Sequence, residues 1–151
     1  MIKYRLLHPQ LLNVLGRAGH GNRILIADSN FRFVTGAPPN AEKVYLNFVP
    51  GQLSAMQVLT GLLDAVTVEQ AYAMLMNDGQ EPSIISDFRA LLPKSISLNL
   101  LERYKFYEQV ESLQTILVIA TGEQRLFANL LLEIGVVSDE GVIARDRSAK
   151  L

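Results

Sequence analysis

Three runs in this chain are apolar at nearly every position: Ile24-Leu25-Ile26-Ala27, Thr115-Ile116-Leu117-Val118-Ile119-Ala120 and Asn129-Leu130-Leu131-Leu132-Glu133-Ile134. A strand with one face in water alternates apolar and polar residues, whereas a continuous apolar run implies that both faces are covered. Between these runs lie segments whose apolar residues recur at helical spacing. Strands alternating with helices predict an α/β domain with a largely buried sheet that can be mixed.

The remaining elements follow from local signals. Pro9 suits the first turn of a helix carrying Leu11, Leu12, Leu15 and Ala18, with Gly19 as its C-cap. Arg23 to Asp28 reads as a strand. Residues 29–41, with Gly36, Pro38 and Pro39, read as a surface loop. Lys43 to Phe48 alternates as a strand, and Pro50-Gly51 breaks it. Ser54 reads as the N-cap of a helix with Met56, Leu59, Leu62 and Leu63. Ala65 to Met76 fits strand or helix, and the β-branched Val66-Thr67-Val68 favours strand. Asn77-Asp78-Gly79 is a turn. Pro82 opens a helix that Pro93 closes, Ser95 to Leu100 alternates as a strand, and Arg103 to Leu113 reads as a helix. One domain is expected over residues 1–137. Residues 138–151 turn polar and charged, and are expected to form a tail or an interface arm.

Composition narrows the classes of function. The net charge is −1 over 151 residues, which gives no general attraction to nucleic acid or to an anionic membrane. There is no cysteine, so disulfides and thiolate metal sites are excluded. No apolar run is long enough to span a bilayer, and the first residues lack the core of a signal peptide, so a soluble cytoplasmic protein is expected. The chain is 49% hydrophobic and only 19% charged. A small domain has too much surface for that ratio unless partner subunits cover part of it, which predicts a homo-oligomer.

Three clusters could carry chemistry. One of the two histidines, His20, sits in Gly19-His20-Gly21-Asn22, where the first helix stops, and Asp28 ends the following strand. That layout can bring an imidazole and a carboxylate to one edge of a sheet for proton transfer to a hydroxylated molecule. Alternatively, the histidine meets a helix dipole and the aspartate caps a turn. In Glu102-Arg103-Tyr104-Lys105-Phe106-Tyr107-Glu108, Phe106 reads as core. Arg103, unaided by the dipole at a helix start, either points its planar donors at a ligand or is solvated. In Thr121-Gly122-Glu123-Gln124-Arg125-Leu126-Phe127-Ala128-Asn129, Gly122 permits a tight turn and Ala128 a close backbone approach. The Asn129 amide suits a sugar hydroxyl, or bonds to backbone in an ordinary loop.

Together these segments resemble the ribose pyranase / fucose mutarotase family. The matching pieces are Leu11-Leu12 through Gly19-His20-Gly21, Ile24 to Asp28, Met56-Gln57-Val58-Leu59, Arg103 with Phe106-Tyr107-Glu108, and Thr121-Gly122-Glu123 through Asn129 to Leu132 and Gly135-Val136. The resemblance covers most of residues 8–137. It implies a single three-layer α/β/α domain with a mixed, mostly buried sheet. It also implies interconversion of sugar anomers without metal or cofactor, in ring-like homo-oligomers with sites near subunit boundaries. By position, it implies that His20 is the acid/base, and that Asp28, Arg103, Phe127, Ala128 and Asn129 bind the sugar. Arg103 stands where fucose-type members carry arginine and ribose-type members carry histidine.

One departure is Phe127, where the family usually has tyrosine. Phenylalanine keeps the ring and lacks the hydroxyl, so slower turnover, an altered preference or binding without turnover would follow. Tyr104 and Tyr107 are the nearby hydroxyls that could replace it. Asn22, where fucose-type members often carry an acid, is a milder change. The expected function is mutarotation of L-fucose or a similar sugar. The alternatives are a ribose-type pyranase, a non-catalytic sugar-binding or sensing protein, and a purely structural ring subunit.

Overall fold

The computed structural model describes residues 5–138. The elements are α1 (Pro9–Arg17), β1 (Arg23–Ala27), β2 (Glu42–Tyr45), α2 (Ala55–Ala65), β3 (Val68–Met74), α3 (Ile85–Leu91), β4 (Leu98–Leu101), α4 (Arg103–Val110), β5 (Thr115–Ala120) and β6 (Leu130–Ile134). The starts of α1, α2 and α4 are set by side chains that accept orphan backbone N–H groups. His8 accepts from Leu11 N and Pro9 follows it, while Ser54 and Gln57 form a reciprocal capping box. Glu102 accepts from Tyr104 N and Lys105 N at the start of α4.

The six strands form one sheet in the order β2-β5-β1-β6-β3-β4. Neighbouring pairs are parallel except where β6 meets β1 and β3, with which it runs antiparallel. One reversed strand inside an otherwise parallel sheet has a geometric consequence. The carboxyl ends of β1, β3, β4 and β5 and the amino end of β6 all lie at the same end of the sheet.

Both faces are covered, giving three layers. On one face, Ile24, Ile26, Leu117, Ile119, Leu130 and Leu132 pack against Leu11 and Val14 of α1, Leu59 and Leu62 of α2, and Phe88 of α3. On the other, Leu25, Ala27, Val118 and Leu131 pack against Phe106 and Val110 of α4 and against Phe31 and Ala41. The expected mixed, mostly buried α/β/α sheet is therefore found, and no helix among the described residues is long and apolar enough to cross a membrane.

Local expectations needed correction. The C-cap of α1 is Ala18 rather than Gly19, and its backbone is extended. The left-handed residue of that turn is Gly21, with φ 77°. The 29–41 segment is not merely a surface loop, because Phe31 and Ala41 are buried under the sheet. Ser95-Ile96-Ser97 precede β4 instead of opening it, α4 stops at Val110 rather than Leu113, and Asn129 lies just outside β6. Residues 139–151 of the expected tail lie outside the described residues.

Gly122 has a specific cause. It shows no left-handed φ. A Cβ there would sit 2.0 Å from the Gln52 carbonyl oxygen and 2.8 Å from that of Val49. The backbone of 49–53 packs directly on it, with Gly51 N donating to Gly122 O at 2.7 Å and Gly122 N donating to Leu53 O at 3.0 Å. Exposed Gly16, in α1, meets nothing within 4 Å of an added Cβ. Gly122→Ala should therefore destabilise the fold by about 1–3 kcal/mol or more. Gly16→Ala should stabilise it by about 0.5–1 kcal/mol. Equilibrium urea unfolding of the two variants beside wild type checks the opposite signs.

Candidate active site

At the carboxyl end of β1 the chain leaves the sheet through Asp28, whose side chain is turned inward and only 3% of which is exposed. Both of its oxygens accept hydrogen bonds within the protein, three in all, which leaves one acceptor site, on Oδ1. Oδ1 accepts from Asn30 N at 3.0 Å, an Asx turn that starts the following loop. Oδ2 accepts from Ala128 N at 3.1 Å and from Asn129 Nδ2 at 2.8 Å. Asn129 reciprocates, its Oδ1 accepting from Asp28 N at 3.0 Å. The turn-capping reading of Asp28 and the backbone-bonding reading of Asn129 are thus both correct, and they describe one arrangement. Burial raises the Asp28 pKa above the ordinary value of 3.8, against the lowering effect of these hydrogen bonds.

The loop that brings Ala128 and Asn129 to Asp28 is held at both ends. Thr121 Oγ1 donates to Ala27 O at 2.7 Å. The Arg125 guanidinium donates to Glu123 at 3.0 and 3.1 Å and to Asp87 of α3 at 2.7 Å. Those bonds hold the Glu123 carboxyl below its usual range. Phe127 then adopts a left-handed φ of 60°. A residue with a Cβ pays about 1–2 kcal/mol for that conformation. The turn it makes points the Ala128 N–H and the Asn129 side chain back at Asp28. This backbone strain lies beside the buried Asp28–Asn129 pair.

A cleft of about 320 Å³ opens over this pair, near the lower limit of common ligand sites (about 300–1,000 Å³). Asp28, Asn129, Arg103 and Phe127 line it. Four of the sequence-nominated residues therefore face one cleft, and Ala128, fully buried, contributes its backbone N–H just beneath. Sequence reasoning missed Arg32, Phe31 and Met74, which line the same space. The Asp28-Ser29-Asn30 turn was the signal that could have found Phe31 and Arg32, since it folds the chain back over the strand end. Tyr107 also lines the cleft, while Tyr104 is 69% exposed and outside it. Tyr107 Oη accepts from Arg103 Nε at 3.3 Å, and its ring carries the Arg32 guanidinium 4.7 Å from its centroid.

His20 is elsewhere. It does not lie in the last turn of α1 but in the turn beyond it, leading into the amino end of β1. The expected convergence of His20 and Asp28 on one edge is not found within a single chain: the strand separates them, with about 13 Å of rise between Arg23 and Ala27 alone. The His20 side chain is 60% exposed, and its Nε2 faces the Glu69 carboxylate at 3.0 and 3.1 Å.

The arrangement can bind a small polyol. A buried carboxylate and a side-chain amide supply acceptors and donors at the floor, guanidinium groups supply donors at the rim, and aromatic rings supply apolar walls. Comparison with known proteins agrees in kind. Residues 1–137 match the family described as the RbsD / FucU transport protein family. The fucose mutarotase of Bos taurus is 30% identical over 143 residues, covering 88% of this chain and 91% of that protein. The D-ribose pyranase 2 of Streptomyces griseus is 33% identical over 137 residues, covering 90% and 98%. Among solved structures, Bacillus subtilis RbsD complexed with D-ribose superposes with a TM-score of 0.78 at 24% identity, covering 91% of this chain and 100% of that one. The fucose mutarotase from Streptococcus pneumoniae in complex with L-fucose gives 0.73 at 25% identity, with the same coverage. The chain belongs to the RbsD / FucU family, whose named relatives here are sugar mutarotases and pyranases.

Proposed function

We propose that this protein is a monosaccharide mutarotase acting on L-fucose or a similar sugar, and that it works as a cytoplasmic homo-oligomer. The observation that carries the reading is the reciprocal Asp28–Asn129 pair at the floor of a monosaccharide-sized cleft with Arg103 at its rim. Asp28 accepts from a sugar hydroxyl, Asn129 and Arg103 donate to others, and Phe127 packs its ring on the sugar's apolar edge. Arg103, in place of the histidine expected of ribose-type members, supports the fucose-type assignment.

Mutarotation opens a cyclic hemiacetal and recloses it on the other face. One proton leaves the anomeric hydroxyl, and the C1–ring oxygen bond breaks with its electron pair going to the ring oxygen. One proton arrives there, so the proton count is unchanged. An imidazole works near neutrality in either role. His20 is this group, supplied by the neighbouring copy. The two ends of the sheet both expose apolar residues, Tyr104 (69%) and Leu126 (66%) near the cleft and Val136 (65%) near the His20 turn. Two unlike surfaces that meet head to tail form a ring where the rotation between copies closes. Tyr107, whose hydroxyl accepts from Arg103 and so keeps its own proton to donate, supplies the phenol that Phe127 lacks.

Phe127 also motivates a second reading, a sugar-binding protein of the same fold that turns nothing over. Saturation-transfer NMR on fucose, ribose and galactose separates the two. Wild type should accelerate anomer exchange, His20→Ala should lose about 10²–10⁴-fold of that gain with binding retained, and Asp28→Ala should lose both. Binding without exchange in wild type, restored by Phe127→Tyr, would select the second reading. No binding and no exchange with any sugar would remove both.

Asp28 also sets a pH dependence. Its folded pKa is raised, so its effect on stability is fully present below pH 3.8 and is lost as pH rises through the folded value. Its effect on binding has the opposite sign, because the ionised carboxyl is the stronger acceptor for a sugar hydroxyl. Sugar affinity measured by calorimetry should fall as pH is lowered through the folded pKa of Asp28, which a carboxyl ¹³C titration locates above 3.8.

A further inference from the structure

We infer that the preferred sugar of this site is a hexuronate, its C6 carboxylate bound at the mouth of the cleft by Arg32 and Arg103. This rests on the reading that the cleft over Asp28 and Asn129 holds a monosaccharide, and it narrows the class of that sugar.

The 29–41 segment is shaped to deliver Arg32. Phe31, 7% exposed, anchors the chain under the sheet. Directly after it, Arg32 O accepts from Thr35 N at 3.2 Å and from Gly36 N at 2.7 Å, which closes a tight turn. A Cβ on Gly36 would lie 2.5 Å from Arg32 Cγ, so the glycine leaves the room that the arginine stem occupies. The stem carries the guanidinium over the Tyr107 ring, with Cζ 4.7 Å from the centroid. Arg103 reaches the same ring from α4, its Cζ 5.6 Å from the centroid. One phenol ring thus holds two cations, and both line the cleft that Asp28 floors. Both also border an adjoining hollow of about 330 Å³, together with Glu108 and Glu111.

Most of their donors are open. Arg103 Nε donates to Tyr107 Oη at 3.3 Å, and its two terminal nitrogens have no hydrogen-bond or ion-pair partner among the described residues. Arg32 Nη2 donates to Glu111 Oε1 at 2.6 Å, which leaves Nε and Nη1. Both partners of that pair are about half-exposed, and such pairs hold weakly, so an incoming anion can share Arg32 with Glu111 or displace it. A planar fork of N–H groups matches a carboxylate or a phosphate. Two observations favour the carboxylate. The cleft, at about 320 Å³, has room for a single sugar ring. Glu108 and Glu111 border the same mouth and repel a dianion more strongly than a monoanion. Mutarotation makes and breaks bonds only at C1, its hydroxyl and the ring oxygen, so a C6 carboxylate passes through it unchanged. A neutral sugar of the same ring fills the cleft and leaves these donors to water.

The test compares galacturonate with galactose, in the D and the L series, on the full-length protein in its native assembly. The two sugars differ only at C6. Calorimetry supplies affinities, and saturation-transfer NMR supplies exchange rates. Wild type should bind galacturonate about tenfold more tightly than galactose, the gain expected of charge-assisted bidentate donation. Added salt should erode the galacturonate affinity and leave that of galactose unmoved. Arg32→Ala should cut the preference by about threefold or more. Glu111→Gln, which removes the competing carboxylate, should raise it by about two- to threefold. A general loss of stability does not give opposite signs in the two partners of one ion pair. Galactose 6-phosphate should bind no more tightly than galacturonate, and tighter binding would overturn the choice of carboxylate. Equal affinities for galacturonate and galactose in wild type, with galactose exchange accelerated, would overturn the hexuronate and leave the mutarotase reading standing. A preference untouched by Arg32→Ala would overturn the role of Arg32. Absence of binding and exchange with every sugar would overturn the mutarotase reading itself.

Discussion

A single reversed strand organises the proposed site of this molecule. β6 runs antiparallel between β1 and β3, while its neighbours are otherwise parallel. Its entry therefore meets the exit of β1, and the amide of Asn129 comes to lie against the carboxylate of Asp28. Its exit meets the entries of β1 and β3, where Ile134 and Gly135 latch the His20 turn and the start of β3. Had β6 been parallel, Asn129 would have left the Asp28 end of the sheet, and that end would have lost its amide.

The energetics of the Asp28 end explain its rigidity. A carboxylate taken out of water is costly unless its oxygens are occupied. Here two backbone N–H groups and one amide occupy them, and the residual cost appears as the raised pKa. The loop that delivers two of those donors carries a left-handed phenylalanine. Its own Arg125–Glu123–Asp87 ion pairs and the glycine contact at 122 hold it in that shape. Strain at Phe127 is offset by interactions several residues away, so the donors are in place before any ligand arrives.

The sheet was easy to read because its central strands are apolar on both faces, a pattern that a strand with one face in water does not show. β5 coincides with its sequence span, and β1, β3 and β6 differ from theirs at the ends. β4 was harder: all four of its residues are only half-buried, and the alternation that suggested it began in the preceding turn. The Asp28, Arg103 and Asn129 positions were legible as polar residues flanking apolar runs. Arg32 and Phe31 were not, because they reach the cleft through a loop that carries no periodicity. Glu69, which meets His20 from a bulge at the start of β3, was invisible for a related reason: a bulge is a property of pairing between two strands, and one strand's sequence does not record it. His20 and Asp28 are close along the chain and far apart in space, because β1 runs between them.

That separation turns the account into a claim about assembly: a complete site takes its acid/base histidine from one copy and its Asp28 cleft from the next. Co-assembly of His20→Ala with Asp28→Ala chains measures this directly, by anomer exchange of the mixture against each variant alone. Random assortment of equal amounts around a head-to-tail ring rebuilds intact sites at about a quarter of all positions, so exchange should return to about a quarter of wild type. A mixture no faster than its two parents, with mixed assemblies verified by mass spectrometry, would contradict it.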